Sequence, residues 1–156
     1  MSDTAHRIAV FVDVQNIYYT SKQQFNAHFN YNKFWNMVTK GRKVLTAKAY
    51  ATDRSDPKQI HFQNILRATG FEVKLKPFIN RVDGSSKGDW DVGITIDIME
   101  YAKESDIIVL ASGDGDFDIL IEKITSAYNL ITEVYGVSTF TANSLKRVST
   151  EFFPID

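Results

Sequence analysis

The chain has 156 residues, 44% of them apolar and 24% charged, and a formal net charge of −1. That length predicts one domain over 1–156 with a sizeable core, and that charge excludes a global pull toward nucleic acid, so any basic surface must be local. The absence of cysteine excludes disulfides, thiolate metal sites and cysteine nucleophiles.

In chain order, MSDTAHR is polar and leads directly into RIAVFVDV, which reads as a buried strand. No apolar run is long enough to span a bilayer, and no signal peptide is evident, so a cytoplasmic setting with no membrane partner is expected. QNIYYTSKQQF and YNKFWNMVTKG read as helices, with Gly41 as a stop. KVLTAKAYAT has strand alternation. A helix then runs from Asp56 as N-cap and Pro57 at its first position to Gly70 at its end. FEVKLKPFI is a third strand, NRVDGSSKGD a loop, WDVGITIDIMEYAKES a helix and DIIVLAS a fourth strand. GDFDILIEKITSAYN reads as a helix and LITEVYGV as a strand, before a short helix near 142–148 and a terminal strand, EFFPI. This alternation predicts a mainly parallel sheet of five or six strands with helices on both faces. Ligand sites in such sheets lie at the carboxyl ends of strands, often where strand order reverses.

Carboxylates fall at those ends. Asp13 closes the first strand, where backbone amides alone could satisfy it or a ligand could. Asp114 follows the fourth strand by two residues. Helix phasing at roughly 100° per residue puts it on the Phe117–Ile121 side, toward the sheet, with Asp118 solvated beside Glu122. Asp116 falls in the first turn, where it suits the helix dipole. Asp91 lies in a row with Thr95 and Ile98, on the core stripe, while Asp97 falls with Gly93 and Glu100 on a face read as solvated. A helix leading into the fourth strand starts at the edge where that strand ends, so Asp13, Asp91, Asp114 and Asp116 share one edge. Carboxylates ~4 Å apart repel by about 1 kcal/mol in water and about 4 at an effective dielectric of 20. A divalent cation or proton uptake offsets that cost, and an oxygen-only ligand set suits Mg²⁺ or Mn²⁺. His6, His28 and His61 share no metal-ligand spacing and read as structural or surface residues. A calcium loop from Asp114 would need Gly and Glu where Ile119 and Thr125 stand. The glycine-rich nucleotide motifs are also absent.

VFVDVQNIYY, KGDWDVGITIDIMEYA and IIVLASGDGDFDILIEKI, in that order and spacing, resemble the NYN domain family, the LabA-like branch of the PIN-like nucleases. The resemblance covers nearly the whole chain. It implies a Rossmann-like (PIN-like) three-layer α/β fold with a central parallel sheet, and metal-dependent RNA cleavage through clustered acids that bind Mg²⁺ or Mn²⁺. It implies Asp13 as the first-strand acid and Asn16 as its polar companion. Lys87 and Asp91 match the lysine and acid of the middle block, and Asp114 and Asp116 the paired acids of the third. Asp97 matches a further acid, of second rank. Val14 stands where the family often has glycine, and one extra residue separates Lys87-Gly88 from Asp91.

The expected activity is hydrolysis of RNA phosphodiester bonds, leaving a 5′-phosphate and a 3′-hydroxyl. One or two Mg²⁺ or Mn²⁺ ions on Asp13, Asp91, Asp114 and Asp116 would activate water, with Asn16 and Ser112 orienting ligands. The expected partner is RNA, single-stranded or structured, and a homodimer is allowed. The expected RNA-facing groups are Arg54, Lys58, Arg81, Lys87 and Trp90, with Tyr18, Tyr19 and Phe140 on the same rim, since phosphate contacts plus aromatic platforms suit single strands. The alternative is an RNA-binding or regulatory module that keeps the acidic site without cleaving. A small-molecule phosphohydrolase is disfavoured, because no D-x-D-x-[TV] pattern begins at Asp13.

Overall fold

The computed structural model describes residues 5–53, 56–77, 79–80, 86–87 and 90–155, with 77, 79–80 and 86–87 described by backbone alone. Strand β1 (Arg7–Asp13) leads into helices α1 (Val14–Phe25) and α2 (Tyr31–Thr39), then strand β2 (Lys43–Asp53), helix α3 (Pro57–Thr69) and strand β3 (Glu72–Pro77). Two short strands, β4 (Ile79–Asn80) and β5 (Ser86–Lys87), form an antiparallel ladder between the end of the expected third strand, at Ile79, and the segment 80–89 expected to be a loop. Helix α4 (Asp91–Ala102), strand β6 (Ile107–Ala111), helix α5 (Asp118–Ala127), strand β7 (Ile131–Gly136), helix α6 (Asn143–Val148) and strand β8 (Glu151–Pro154) follow.

The six long strands form one sheet in the order β3–β2–β1–β6–β7–β8, and every neighbouring pair is parallel. The chain builds outward from β1 through β2 to β3, then crosses back to lay β6 on the other side of β1. Strand order therefore reverses between β1 and β6, which places the topological switch point at their carboxyl ends.

Period-two alternation divides the core. Ile8, Val10 and Val12 join the cluster that includes Ile17, Phe34, Val38 and Leu66 from α1, α2 and α3. Ala9 and Phe11 join the cluster that includes Ile94, Ile98, Leu120, Ile121 and Leu145 from α4, α5 and α6. Because β1 and β6 are buried on both faces, they read as continuous apolar runs. Start and stop chemistry is as the sequence predicts for α3. The Asp56 carboxylate accepts the Lys58 amide at 2.9 Å, Pro57 is the first helical residue, and Gly70 caps the end at φ 137°.

One expectation fails on burial. Asp97 is only 8% exposed. Its Oδ2 accepts from the Tyr50 hydroxyl at 2.7 Å and from Lys74 Nζ at 3.0 Å. Phasing from the apolar residues assigned it to a solvated face, but Ile94, Asp97, Ile98 and Ala102 form the buried set of α4. The partners that make an acid tolerable there come from β2 and β3, which helix periodicity does not see. Burial pushes the Asp97 carboxyl up, but the Tyr50 and Lys74 contacts outweigh it and hold the group below the usual carboxylate range. Burial, then the bond to Asp97, pushes the Tyr50 phenol far up, so it stays a donor. Asp97→Ala is expected to destabilise the fold by about 1.5–3 kcal/mol, the range for a hydrogen bond to a charged group. A depressed folded pKa contributes stability above the unfolded value of about 3.9 and loses it as pH falls through the lower folded value. Urea denaturation of the variant should therefore show its deficit at pH 7 and a smaller one at pH 3, and equal deficits at both would sink this account.

Candidate metal centre at the switch point

Asp13 ends β1 in the same facing parity as Ala9 and Phe11, and Ser112 follows β6 in the parity of Ile108 and Leu110. Both therefore turn toward the layer that carries α4 and α5. The Asp13 carboxylate is buried, at 8% exposure. Its Oδ1 accepts the Asn16 amide at 3.4 Å, capping α1, and its Oδ2 accepts the Ser112 hydroxyl at 3.0 Å. The bland reading of Asp13, an acid satisfied by a backbone amide, is thus part of the truth, and the clustering below is the other part.

The loop after β6 is tied down by the same residues. Asn16 Oδ1 accepts the Gly113 amide at 2.9 Å, and Ser112 Oγ accepts the Asp114 amide at 3.2 Å. A Cβ on Gly113 would lie 2.7 Å from the Phe140 carbonyl oxygen, so only glycine lets this loop press against the segment after β7. Asp114 in turn caps a short 3-10 turn, Gly115–Phe117, by accepting the Asp116 amide at 2.9 Å. The expected helix therefore begins three residues late as an α-helix, at Asp118. The tighter winding of the turn changes the rotation of each side chain.

Asp91 is the first residue of α4. The preceding Trp90 fixes it in place: its indole N–H donates to the Ala51 carbonyl at 2.9 Å, and its ring lies 5.3 Å from that of Tyr50. Since Tyr50 also bonds Asp97, the buried acid within α4 and the ring before it hold the helix start from two points.

Together these elements bring carboxylate oxygens of Asp13, Asp91 and Asp114 within 4.8 Å of one another, the one such group of three among the described residues. They line a cleft of about 240 Å³ with Gln15, Asn16, Tyr19 and Thr20. Asp116 is exposed and stands outside the group, two residues from Asp114. Asp97 also stands outside it. Gln15 and Thr20 were missed in the sequence, although the spacing from Asn16 to Thr20, one helical turn, is a legible signal, and Thr20 Oγ1 donates to the Asn16 carbonyl at 2.7 Å. Tyr31 lies close enough that, after burial, the Asp13 charge pushes its phenol up further.

The expected basic residues are described only in part. Arg54 and Arg81 lie outside the described residues, and for Lys87 only the backbone is described. Lys58 is exposed at the start of α3. Trp90 is half-buried, with Lys76 Nζ 4.9 Å from its ring. Tyr18, Tyr19 and Phe140 are exposed, and Val14, at the start of α1, is buried.

Three close carboxylates with no nitrogen or sulfur donor fit a hard divalent cation and could hold one. No helix among the described residues is long and apolar enough to cross a membrane. In sequence, the chain is 31% identical over 136 residues to the Low amplitude and bright protein LabA of Synechococcus elongatus, with 82% of this chain and 73% of LabA covered. In structure, it matches a protein of unknown function from Vibrio parahaemolyticus at TM-score 0.95 and 50% identity, covering 100% of this chain and 96% of that one. Neither similarity supports a homodimer. The family model of the NYN domain matches residues 7–156, and the chain belongs to this family of the PIN-like nuclease superfamily.

Proposed function

We propose that the chain is a metal-dependent ribonuclease that hydrolyses RNA phosphodiester bonds at the β1–β6 switch point. The observation that carries this reading is the convergence of Asp13, Asp91 and Asp114, three carboxylates from three distant segments. They would hold Mg²⁺ or Mn²⁺, with Asp116 adding a fourth carboxylate. A divalent cation there supplies charge neutralisation and Lewis-acid polarisation of a phosphodiester.

The chain's own groups set the geometry. Ser112 holds Asp13 and the Asp114 backbone at once, so the first-strand acid and the loop acid keep a common register. Asn16 uses its carbonyl oxygen on Gly113, which leaves its amide N–H groups as donors toward a phosphate oxygen. Lys58, exposed at the start of α3, would add a phosphate contact, and Arg54, Arg81 and Lys87 are the further cations proposed for RNA. The carboxylates of the cleft need a cation to offset their charge beside a phosphodiester, so cleavage should stop when it is removed.

Purified protein incubated with single-stranded and hairpin RNA should cleave in Mn²⁺ or Mg²⁺ and stop in EDTA, leaving 5′-phosphate ends. Cleavage that persists in EDTA would overturn the reading. Binding without cleavage in either cation would favour the regulatory module instead.

A further inference from the structure

Beside the acidic cleft lies a larger groove of about 760 Å³. It is built on the other layer, between α1, the start of α2 and the start of α3. Gln15 and Tyr19 line both the cleft and the groove, so the two share a wall.

The lining has three kinds of group. Aromatic faces line the mouth: the Tyr18 and Tyr19 rings lie 5.3 Å apart, and the Tyr18 and His28 rings 6.0 Å apart. Tyr18 and Tyr19 are 39% and 51% exposed. Two cations, Lys22 and Lys58, stand on opposite walls, from α1 and α3, and Lys22 Nζ lies 5.7 Å from the Tyr18 ring. Asp56 also lines the groove, but its carboxylate is engaged as the cap of α3. Deeper in, Tyr31 packs edge-on against Phe62, with ring centroids 5.5 Å apart.

We propose that this groove binds unpaired nucleotides of the RNA strand being cut, on one side of the scissile phosphate. The identity of the strand rests on the ribonuclease reading; the groove's chemistry does not. Exposed ring faces stack on bases of any sequence, and flanking lysines take phosphates. A duplex keeps its bases stacked inside, out of reach of such a groove. The volume lies within the range that encloses a compact ligand, and Tyr19 borders both the groove and the cleft. The substrate class is therefore single-stranded RNA or the loop of a hairpin.

The test is fluorescence anisotropy in EDTA with a short labelled oligoribonucleotide, single-stranded or annealed into a duplex, alongside Mn²⁺-dependent cleavage of the same strand. The wild type should bind the single strand more tightly than the duplex. Tyr18→Ala should weaken single-strand binding about five- to hundredfold, the range for loss of one stacked base, and Tyr18→Phe should restore it. The double variant Lys22→Gln/Lys58→Gln should flatten the slope of log affinity against log salt by about 1.4, at about 0.7 for each phosphate contact on a single strand. Unchanged melting temperatures would show that these surface variants are folded. Wild-type affinity in both Tyr18→Ala and the double variant, or no single-strand binding by the wild type, would overturn the groove. Groove-dependent binding without cleavage would leave the groove standing and sink the ribonuclease reading. Cleavage that the groove variants leave intact, together with intact binding, would sink the groove alone.

Discussion

Asp13→Asn is expected to lower Mn²⁺-dependent RNA cleavage by about a thousandfold or more while leaving the chain folded. The loss follows from position. Asp13 is the most enclosed member of the group, buried at 8% exposure, and carboxylate oxygens of Asp91 and Asp114 lie within 4.8 Å of its own. An amide keeps one oxygen but removes a full charge from a site whose electrostatic contribution to catalysis is several kcal/mol. Each 1.36 kcal/mol is tenfold in rate. The fold should survive because asparagine still caps helices well, and its oxygen can accept the Asn16 amide as Oδ1 does now. Its NH₂ group can donate to Ser112 Oγ, reversing the present bond. Asp118→Asn, on the first turn of α5 and outside the carboxylate group, is the matched control and should cleave normally. Activity of Asp13→Asn within tenfold of wild type would refute the assignment of this acid.

The second large effect concerns stability. Mg²⁺ or Mn²⁺ at about a hundred times its dissociation constant should stabilise the protein by about 2.7 kcal/mol. For a chain of this size that raises the melting temperature by about 5–10 °C. Asp114→Asn should abolish most of the rise. In EDTA the same substitution should melt above the wild type, because it removes one of three mutually repelling charges and keeps the oxygen that accepts the Asp116 amide. The two signs are opposite, so a generally destabilised variant cannot imitate the result. A melting temperature indifferent to divalent cations in the wild type would remove the basis for a metal centre.

Much of this arrangement was legible in the sequence, for identifiable reasons. The apolar runs of β1 and β6 marked the doubly covered centre of a parallel sheet, and the acids that follow them had to share its carboxyl edge. Asp91 could be placed because a helix that feeds a parallel strand must start at the edge where that strand ends. What escaped was whatever depended on a partner far away in the chain. Asp97 looked solvated because its stabilising hydroxyl belongs to Tyr50, 47 residues earlier. Asp116 stands exposed on a 3-10 turn where the first turn of an α-helix was expected. The bond of the Trp90 N–H to Ala51 and the contact of its ring with Tyr50, both some forty residues away in the chain, were likewise not legible. Tyr18, Tyr19 and Lys58 were expected at the rim, but the groove they line was not, because its walls come from three helices whose spacing no local pattern encodes.

The adjacency of β1 and β6 also bears on how the molecule comes apart. Their pairing, from Ile8 with Ile107 to Val12 with Ala111, is the junction between the two halves of the winding. Its last rungs stand directly beneath Asp13 and Ser112. An ion gripped by Asp13, Asp91 and Asp114 would act as a removable rivet across that junction, joining segments that are remote along the chain. A fragment carrying only one half of the winding holds no such grip. The rivet closes only after the central strands have met, so it would slow the opening of the finished sheet far more than it would hasten its assembly.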